Sequence, residues 1–232
     1  KKIYLFLQYP FIASIFKDNR VAVLKADMVV SNSKFIANGI KNKFNRESEI
    51  VYPLIDVFGM ASNDDNMNNN REFITAIGSE DIKGGRIVEN IAKIIPNHQF
   101  MIVGRNFDQP IKKANVLYQP WSKDIGEIYK KTKILLAPSL WNEAFCRVAV
   151  EAMASGIPCI GSNRGGIPEV LEPDFIIKDV YNLEAWKEKI LETEKRTDNL
   201  SEKLKQKALE YDAKNQIVKF KEIIKEKLNF DL

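Results

Sequence analysis

The stretch PSLWNEAFCRVAVEAMASGIPCIGSNRGGIPE, Pro138–Glu169, decides the fold. It follows the apolar run Ile134–Ala137 and reads as loop, helix, strand and loop. Phe145–Ala154 carries the helical pattern and Ile157–Ile160 the strand. Two acids, Glu143 and Glu151, stand eight residues apart, and Gly165-Gly166 precedes Ile167-Pro168-Glu169. Pro168 suits the first position of a helix.

Working outward, apolar strand signals recur at Phe73–Ile77, Phe100–Val103, Val116–Tyr118, Ile134–Ala137, Ile157–Ile160 and Phe175–Ile177. Helical patterns fill the gaps at Arg86–Ile95, Asp124–Lys130 and Phe145–Ala154. Short buried strands separated by helices predict right-handed crossovers and a parallel sheet covered on both faces. The expected fold class is α/β, a Rossmann-like doubly wound parallel sheet with order 3-2-1-4-5-6. Asn182 predicts a cap for a helix over 182–195, followed by a second helix over about 201–228.

Upstream, Ile3–Leu7, Met28–Val30 and Ile50–Tyr52 read as strands. Phe35, Ile36, Ile40 and Phe44 predict an amphipathic helix capped by Ser31 or Ser33. This is too little for a complete α/β domain. ASNDDNMNNN at 61–70 is polar and aperiodic. The expected organisation is a partial N-terminal domain at 1–56, a linker at 57–70 and a C-terminal domain at 71–232, with terminal helices over about 182–230.

A chain of 232 residues with 45% hydrophobic and 28% charged residues fits a globular protein. No apolar run is long enough to span a bilayer. KKIYLFLQYPF lacks a signal-peptide cleavage site, and the chain has no initiator Met, so it is expected to continue a longer protein. The net charge of +4 comes with lysines interleaved with glutamates near the end. That is a solvated helical face, which leaves open contact with an anionic membrane surface. No basic stripe or nucleic-acid module is present. Cys146 and Cys159 lie in apolar surroundings and read as reduced core thiols, which points to the cytoplasm. A single histidine, His98, excludes a histidine-built metal cluster. No Asp-x-Asp is present to hold a metal diphosphate.

In the predicted sheet, ligands bind beyond the carboxyl ends of the strands at the switch point. Three loops meet there: Gly78–Gly85, Pro138–Glu143 and Ser162–Gly166. Lys83 beside Gly84-Gly85 offers a cation and close backbone approach, which suits a phosphate. A helix starting near Ala144-Phe145 would present free N–H groups to an anion. Were the whole interval helical, Glu143 and Glu151 would lie about 12 Å apart, the span from a sugar across a diphosphate to a ribose. Either carboxylate could take hydrogen bonds from vicinal hydroxyls. Each feature alone has a plain structural reading: Lys-Gly-Gly as a helix-start turn, Glu151 as a solvated acid. Their convergence on one crevice favours function.

Glu143–Pro158 with Gly165–Glu169 resembles the E-x7-E signature of the retaining family-four (group 1) glycosyltransferases of the GT-B fold. Ser79–Gly85 resembles that family's diphosphate loop, and residues 26–56 the end of its N-terminal domain. The resemblance implies a metal-independent transferase that needs no cofactor and takes a nucleotide sugar, such as a UDP- or GDP-hexose, as donor. It implies that Lys83, with Ser79 and Gly84, binds the diphosphate. Glu143 and the backbone of Ala144, Phe145 and Cys146 would hold the donor sugar, beside Gly165 and Gly166. Glu151 would hold the ribose. The base would pack near Gly104-Arg105 or Gln119–Trp121. The acceptor would be a glycan or lipid, with peripheral contact at the inner face of the membrane left open.

The sequence departs from the family pattern in three ways. An Arg usual near Ser79 is absent, with Arg105 or Arg164 available to compensate. Cys146 stands where Gly is usual. Most of the N-terminal, acceptor-side domain is missing, so the rival reading is a non-catalytic nucleotide-sugar-binding or interaction module. An NAD-dependent dehydrogenase would need a Gly-x-Gly-x-x-Gly after the first strand, which Gly78-Ser79-Glu80 does not supply.

Overall fold

Two sheets follow one another along the chain. The structure, a computed structural model, describes residues 2–6, 15–61, 71–196 and 200–229. The first sheet is parallel and orders β1 (Ile3–Phe6), β2 (Met28–Ser31) and β3 (Glu49–Ile50) side by side. The crossover helices are α1 (Ile15–Lys25) and α2 (Lys34–Phe44). Leu7, expected to end the first strand, lies outside the described residues. Of the two candidate caps, Ser33 caps α2, its Oγ accepting from the N–H of Ile36 at 3.1 Å. Ile36 and Ile40 are buried against Val23, Ala26 and Val29.

Val57–Ala61 opens the stretch expected as linker and forms a short helix, α3, with Val57 buried in the core. Residues 62–70 lie outside the described residues.

The second sheet contains β4 (Phe73–Ile77), β5 (Gln99–Gly104), β6 (Ile111–Lys113), β7 (Val116–Pro120), β8 (Thr132–Ala137), β9 (Cys159–Ser162) and β10 (Ile176–Ile177). Its order is β10-β9-β8-β4-β5-β7-β6. The six predicted strands take the predicted order, all parallel. The extra strand, β6, is antiparallel to β7. Its three residues, Ile-Lys-Lys, are all exposed and carry no apolar run.

The helices of this half are α4 (Gly85–Ile94), α5 (Gly126–Lys131), α6 (Arg147–Ala154), α7 (Ile167–Val170), α8 (Leu183–Glu194), α9 (Leu200–Ala208) and α10 (Ala213–Leu228). Ile74, Ile134, Leu135 and Phe100 are almost fully buried between them. Each such side chain contributes about 1.5–3 kcal/mol. β9 starts two residues later than predicted. Pro158 precedes it and has no N–H for a ladder.

The helix expected over 201–228 is two helices, broken at Asp212. That residue is extended (φ −60°, ψ 139°) and is buried. Its carboxylate caps α10 through the N–H of Lys214 (2.9 Å) and accepts from the N–H of Val57 (3.1 Å). Ala213 donates to the carbonyl of Ile55 at 2.8 Å. α10 then crosses back, placing Ile223, Ile224 and Leu228 on Met28 and Val30 of the first sheet. The last helix therefore packs with the N-terminal part.

Asp212→Ala should lower stability by about 2–3 kcal/mol, because a helix cap is lost and the buried Val57 N–H loses its acceptor. Urea unfolding checks this. Asp212→Asn, which keeps only one of the two acceptor oxygens, should recover no more than part of the loss.

Candidate functional site

The backbone brings the three predicted loops together at the carboxyl edge of β4, β8 and β9. The carbonyl of Ile82 accepts from the N–H of Leu140 (2.9 Å) and the N–H of Trp141 (3.2 Å), and the Ser139 hydroxyl lies 3.2 Å from it. This joins the loop after β4 to the loop after β8. Gly84 sits at φ +86°, and a Cβ there would lie 2.1 Å from the Pro138 carbonyl oxygen. The N–H of Gly166 donates to the Glu143 carbonyl at 2.7 Å. Gly165, at φ +60°, packs so closely on Glu143 that a Cβ would lie 2.2 Å from its carbonyl oxygen. Only glycine fits these two positions. Gly165 and Gly166 thus support the chain of Glu143.

On this frame, Lys83 Nζ lies 2.6 Å from Glu143 Oε1, and Ser139 Oγ donates to the same oxygen at 2.9 Å. Side-chain exposure is 39% for Lys83 and 16% for Glu143. So screened a pair adds about 1 kcal/mol of stability at most. Its consequence is positional: a cation and a carboxylate are fixed side by side at the switch point.

Glu151 sits apart from this pair, two turns into the interval. Its Oε2 accepts from the Tyr129 hydroxyl at 2.9 Å, and its Oε1 pairs with Arg147 at 3.3 Å. Burial, and then the Glu151 charge, push the Tyr129 phenol well above its ordinary pKa. Tyr129, Ser139 and Arg147 were missed in the sequence. Ser139, directly between the strand and Glu143, was the one with a positional signal.

The helix does not begin at Ala144-Phe145 as expected. α6 starts at Arg147, and Glu143–Cys146 is an irregular loop. The carbonyl of Glu143, committed to Gly166, cannot open a helix. No carbonyl or side chain among the described residues takes the N–H groups of Ala144, Phe145 and Cys146. Three donors in a row therefore adjoin the Lys83–Glu143 pair, though not as a helix end. Ala144 packs on the N-terminal apolar cluster, and the Phe145 ring lies 5.4 Å from that of Tyr52. Cys146 and Cys159 are free and buried. Burial, and then the nearby Glu143 carboxylate, push the Cys146 thiol up to about 12.

Ser79 Oγ donates to the Asn106 side chain. The two line a cavity of about 280 Å³ with Asp81, Arg86, Phe107 and Tyr118. The Tyr118 hydroxyl donates to Glu89 at 2.8 Å, and burial with that bond pushes the phenol up to about 12. Arg105 stacks on Trp121, 5.0 Å from its ring centroid, where the base was expected. Arg164 is exposed. Among the described residues no group of three or more His, Cys, Asp and Glu could hold a metal, and no helix is long and apolar enough to cross a membrane.

The family model described as glycosyl transferases group 1 matches residues 86–211, more than half of the chain. A Klebsiella pneumoniae protein, described as an uncharacterized 41.2 kDa protein in the cps region, is 25% identical over 82% of this chain. The chain spans 58% of that relative's length. A glycosyltransferase from Rickettsia africae shares the fold with TM-score 0.79 at 17% identity, over 97% of this chain and 70% of that one. Anabaena HepE, solved with UDP-glucose, gives TM-score 0.78 at 16% identity, over 97% and 72%. The fold is that of the GT-B glycosyltransferases.

Burial holds the Cys146 thiol well above its ordinary pKa, so at pH 8 it carries little thiolate. Native protein should therefore react with a thiol-selective disulfide reagent only after unfolding in urea. Rapid release of one equivalent at pH 8, lost in Cys146→Ser, would mean that the Ala144–Cys146 loop opens.

Proposed function

We propose that this chain, which belongs to the group 1 glycosyl transferases, is the donor-binding part of an enzyme that moves a hexose from a nucleoside diphosphate to a glycan or lipid acceptor. The observation that carries this reading is the Lys83–Glu143 pair, fixed at the switch point beside three backbone donors that no group among the described residues takes.

Lys83 binds the diphosphate. On binding, the phosphate oxygens and Glu143 share the ammonium, which has three protons to donate. Glu143 and the N–H groups of Ala144–Cys146 hold the sugar hydroxyls. Glu151 holds the ribose. A carboxylate has about four acceptor positions, so Tyr129 and Arg147 leave room for a vicinal diol while fixing the group's orientation. The base packs toward Arg105 and Trp121. Transfer breaks the bond from the anomeric carbon to the diphosphate oxygen, and the electron pair leaves with the phosphate. The acceptor hydroxyl oxygen forms the new bond with retention at an oxocarbenium-like carbon, and its proton passes to the departing phosphate oxygen. Fixed positive groups stabilise the departing charge, so no metal or cofactor is required.

Exposed apolar side chains on β1 and α1, among them Leu5 and Val21, supply a face against which the rest of an acceptor-side half packs. The cytoplasm, with contact at the inner membrane face, suits two reduced cysteines and a lysine-rich α10.

Calorimetry with UDP and GDP tests the reading. One of them should bind with Kd of about 10–100 μM. Lys83→Ala and Glu151→Ala should each weaken it at least tenfold, about 1.4 kcal/mol, with little change in Tm. No binding by either nucleotide, to this chain or to one carrying a full acceptor half, would sink the proposal. Binding without transfer by the completed chain would favour a non-catalytic sensor.

A further inference from the structure

Glu169, the last residue of the Gly-Gly-Ile-Pro-Glu run, makes contacts that donor binding does not require. Its carboxylate accepts from the N–H of Lys34 with both oxygens, each at 2.9 Å, and from the N–H of Phe35 at 3.3 Å. The Tyr52 hydroxyl donates to it as well, at 2.9 Å. Lys34 and Phe35 are the first two residues of α2, and Ser33 takes the N–H of Ile36. A carboxylate from more than a hundred residues away thus completes the cap of an N-terminal helix. It faces the positive end of an eleven-residue dipole.

The contact lies at the end of a continuous path from the donor site. Lys83 meets Glu143, and the Glu143 carbonyl is held by Gly166. Gly166 leads directly into α7, which carries Glu169. A second route runs through rings. The Phe145 ring packs at a tilt against Tyr52 at 5.4 Å and Tyr211 at 5.5 Å, and Tyr52 donates to Glu169. The Tyr211 hydroxyl donates to the backbone carbonyl of Glu169 at 3.2 Å. Ala144, between Glu143 and Phe145, touches the α2 core directly. Any adjustment of Glu143 as Lys83 turns to a diphosphate therefore reaches α2 through backbone and packed rings.

We propose that Glu169 is a positioning residue: it clasps the start of α2 to the donor loop, so that the cap of α2 and nucleotide affinity at that loop depend on one another. The coupling rests on the donor reading above. The clasp rests only on the geometry of Glu169.

Amide hydrogen exchange on the whole chain, with UDP and GDP as probes, separates the two. In Glu169→Ala the amides of Lys34 and Phe35 should exchange at least tenfold faster than in the wild type, while amides of β4 and β8 keep their protection. The nucleotide that binds should slow the same two amides in the wild type and not in the variant. Its Kd should rise about tenfold in the variant. Tyr52→Phe, which removes one donor and leaves the carboxylate, should give a smaller change in the same direction, and it serves if Glu169→Ala does not fold. Unchanged exchange at Lys34 and Phe35 overturns the clasp. Faster exchange with unchanged nucleotide affinity overturns the coupling. If neither nucleotide binds the wild type, the donor reading and the coupling fall together, while the exchange rates still decide the clasp.

Discussion

The join between the loop after β4 and the loop after β8 is the constraint on which the rest of the site depends. One carbonyl, that of Ile82, takes hydrogen bonds from the N–H groups of Leu140 and Trp141, and Gly84 lets the two backbones touch. Without that contact Lys83 would be a surface lysine on a turn. With it, the ammonium meets a carboxylate supplied sixty residues later. The ion pair itself adds little stability, since both partners reach water. The work is done by neutral backbone hydrogen bonds and by glycines, which fix the charges in place before any ligand arrives. Under the proposed function, such preorganisation would let a fixed cation act on a departing phosphate without reorganising during reaction.

Strand order was legible in the sequence because buried parallel strands must be apolar on both faces. Ile74, Phe100, Ile134 and Leu135 announce themselves in this way. β6 was not legible for the same reason reversed: an exposed hairpin edge of Ile-Lys-Lys has no core face to advertise. The break at Asp212 was hidden by lysines and glutamates at helical spacing on either side. What bends the chain there is tertiary, the bonds to Val57 and Ile55. The start of α6 was misplaced because Phe145 fits a helical stripe. Its ring is buried instead against Tyr52 and Tyr211, from a loop.

At the site, the residues brought together were those with a chemical reason to meet, Lys83 and Glu143. Glu143 was expected just before the helix and Glu151 two turns into it; the structure keeps Glu143 in a loop, starts the helix only at Arg147, and gives the two acids different partners. Glu169 carried no signal of its contact with α2, because nothing in a run ending Ile-Pro-Glu names a partner at Lys34. Capping across such a separation is invisible to local pattern.

Two carboxylates tie the N-terminal part to the large sheet, and their surroundings assign them different tasks. Asp212 is 1% exposed, and the Val57 N–H it accepts is buried with it. Breaking that bond would strand a buried donor at a cost of about 1–3 kcal/mol. The Ile55–Asp212 junction is therefore a fixed pivot. Glu169 is only partly buried, at the rim between α2 and α7. Water can replace its bonds to Lys34 and Phe35, so each is worth nearer 1 kcal/mol net. A chain held firmly at one point and reversibly at another has a natural axis of motion. The reversible point lies on α7, directly after the Gly166 turn that supports Glu143.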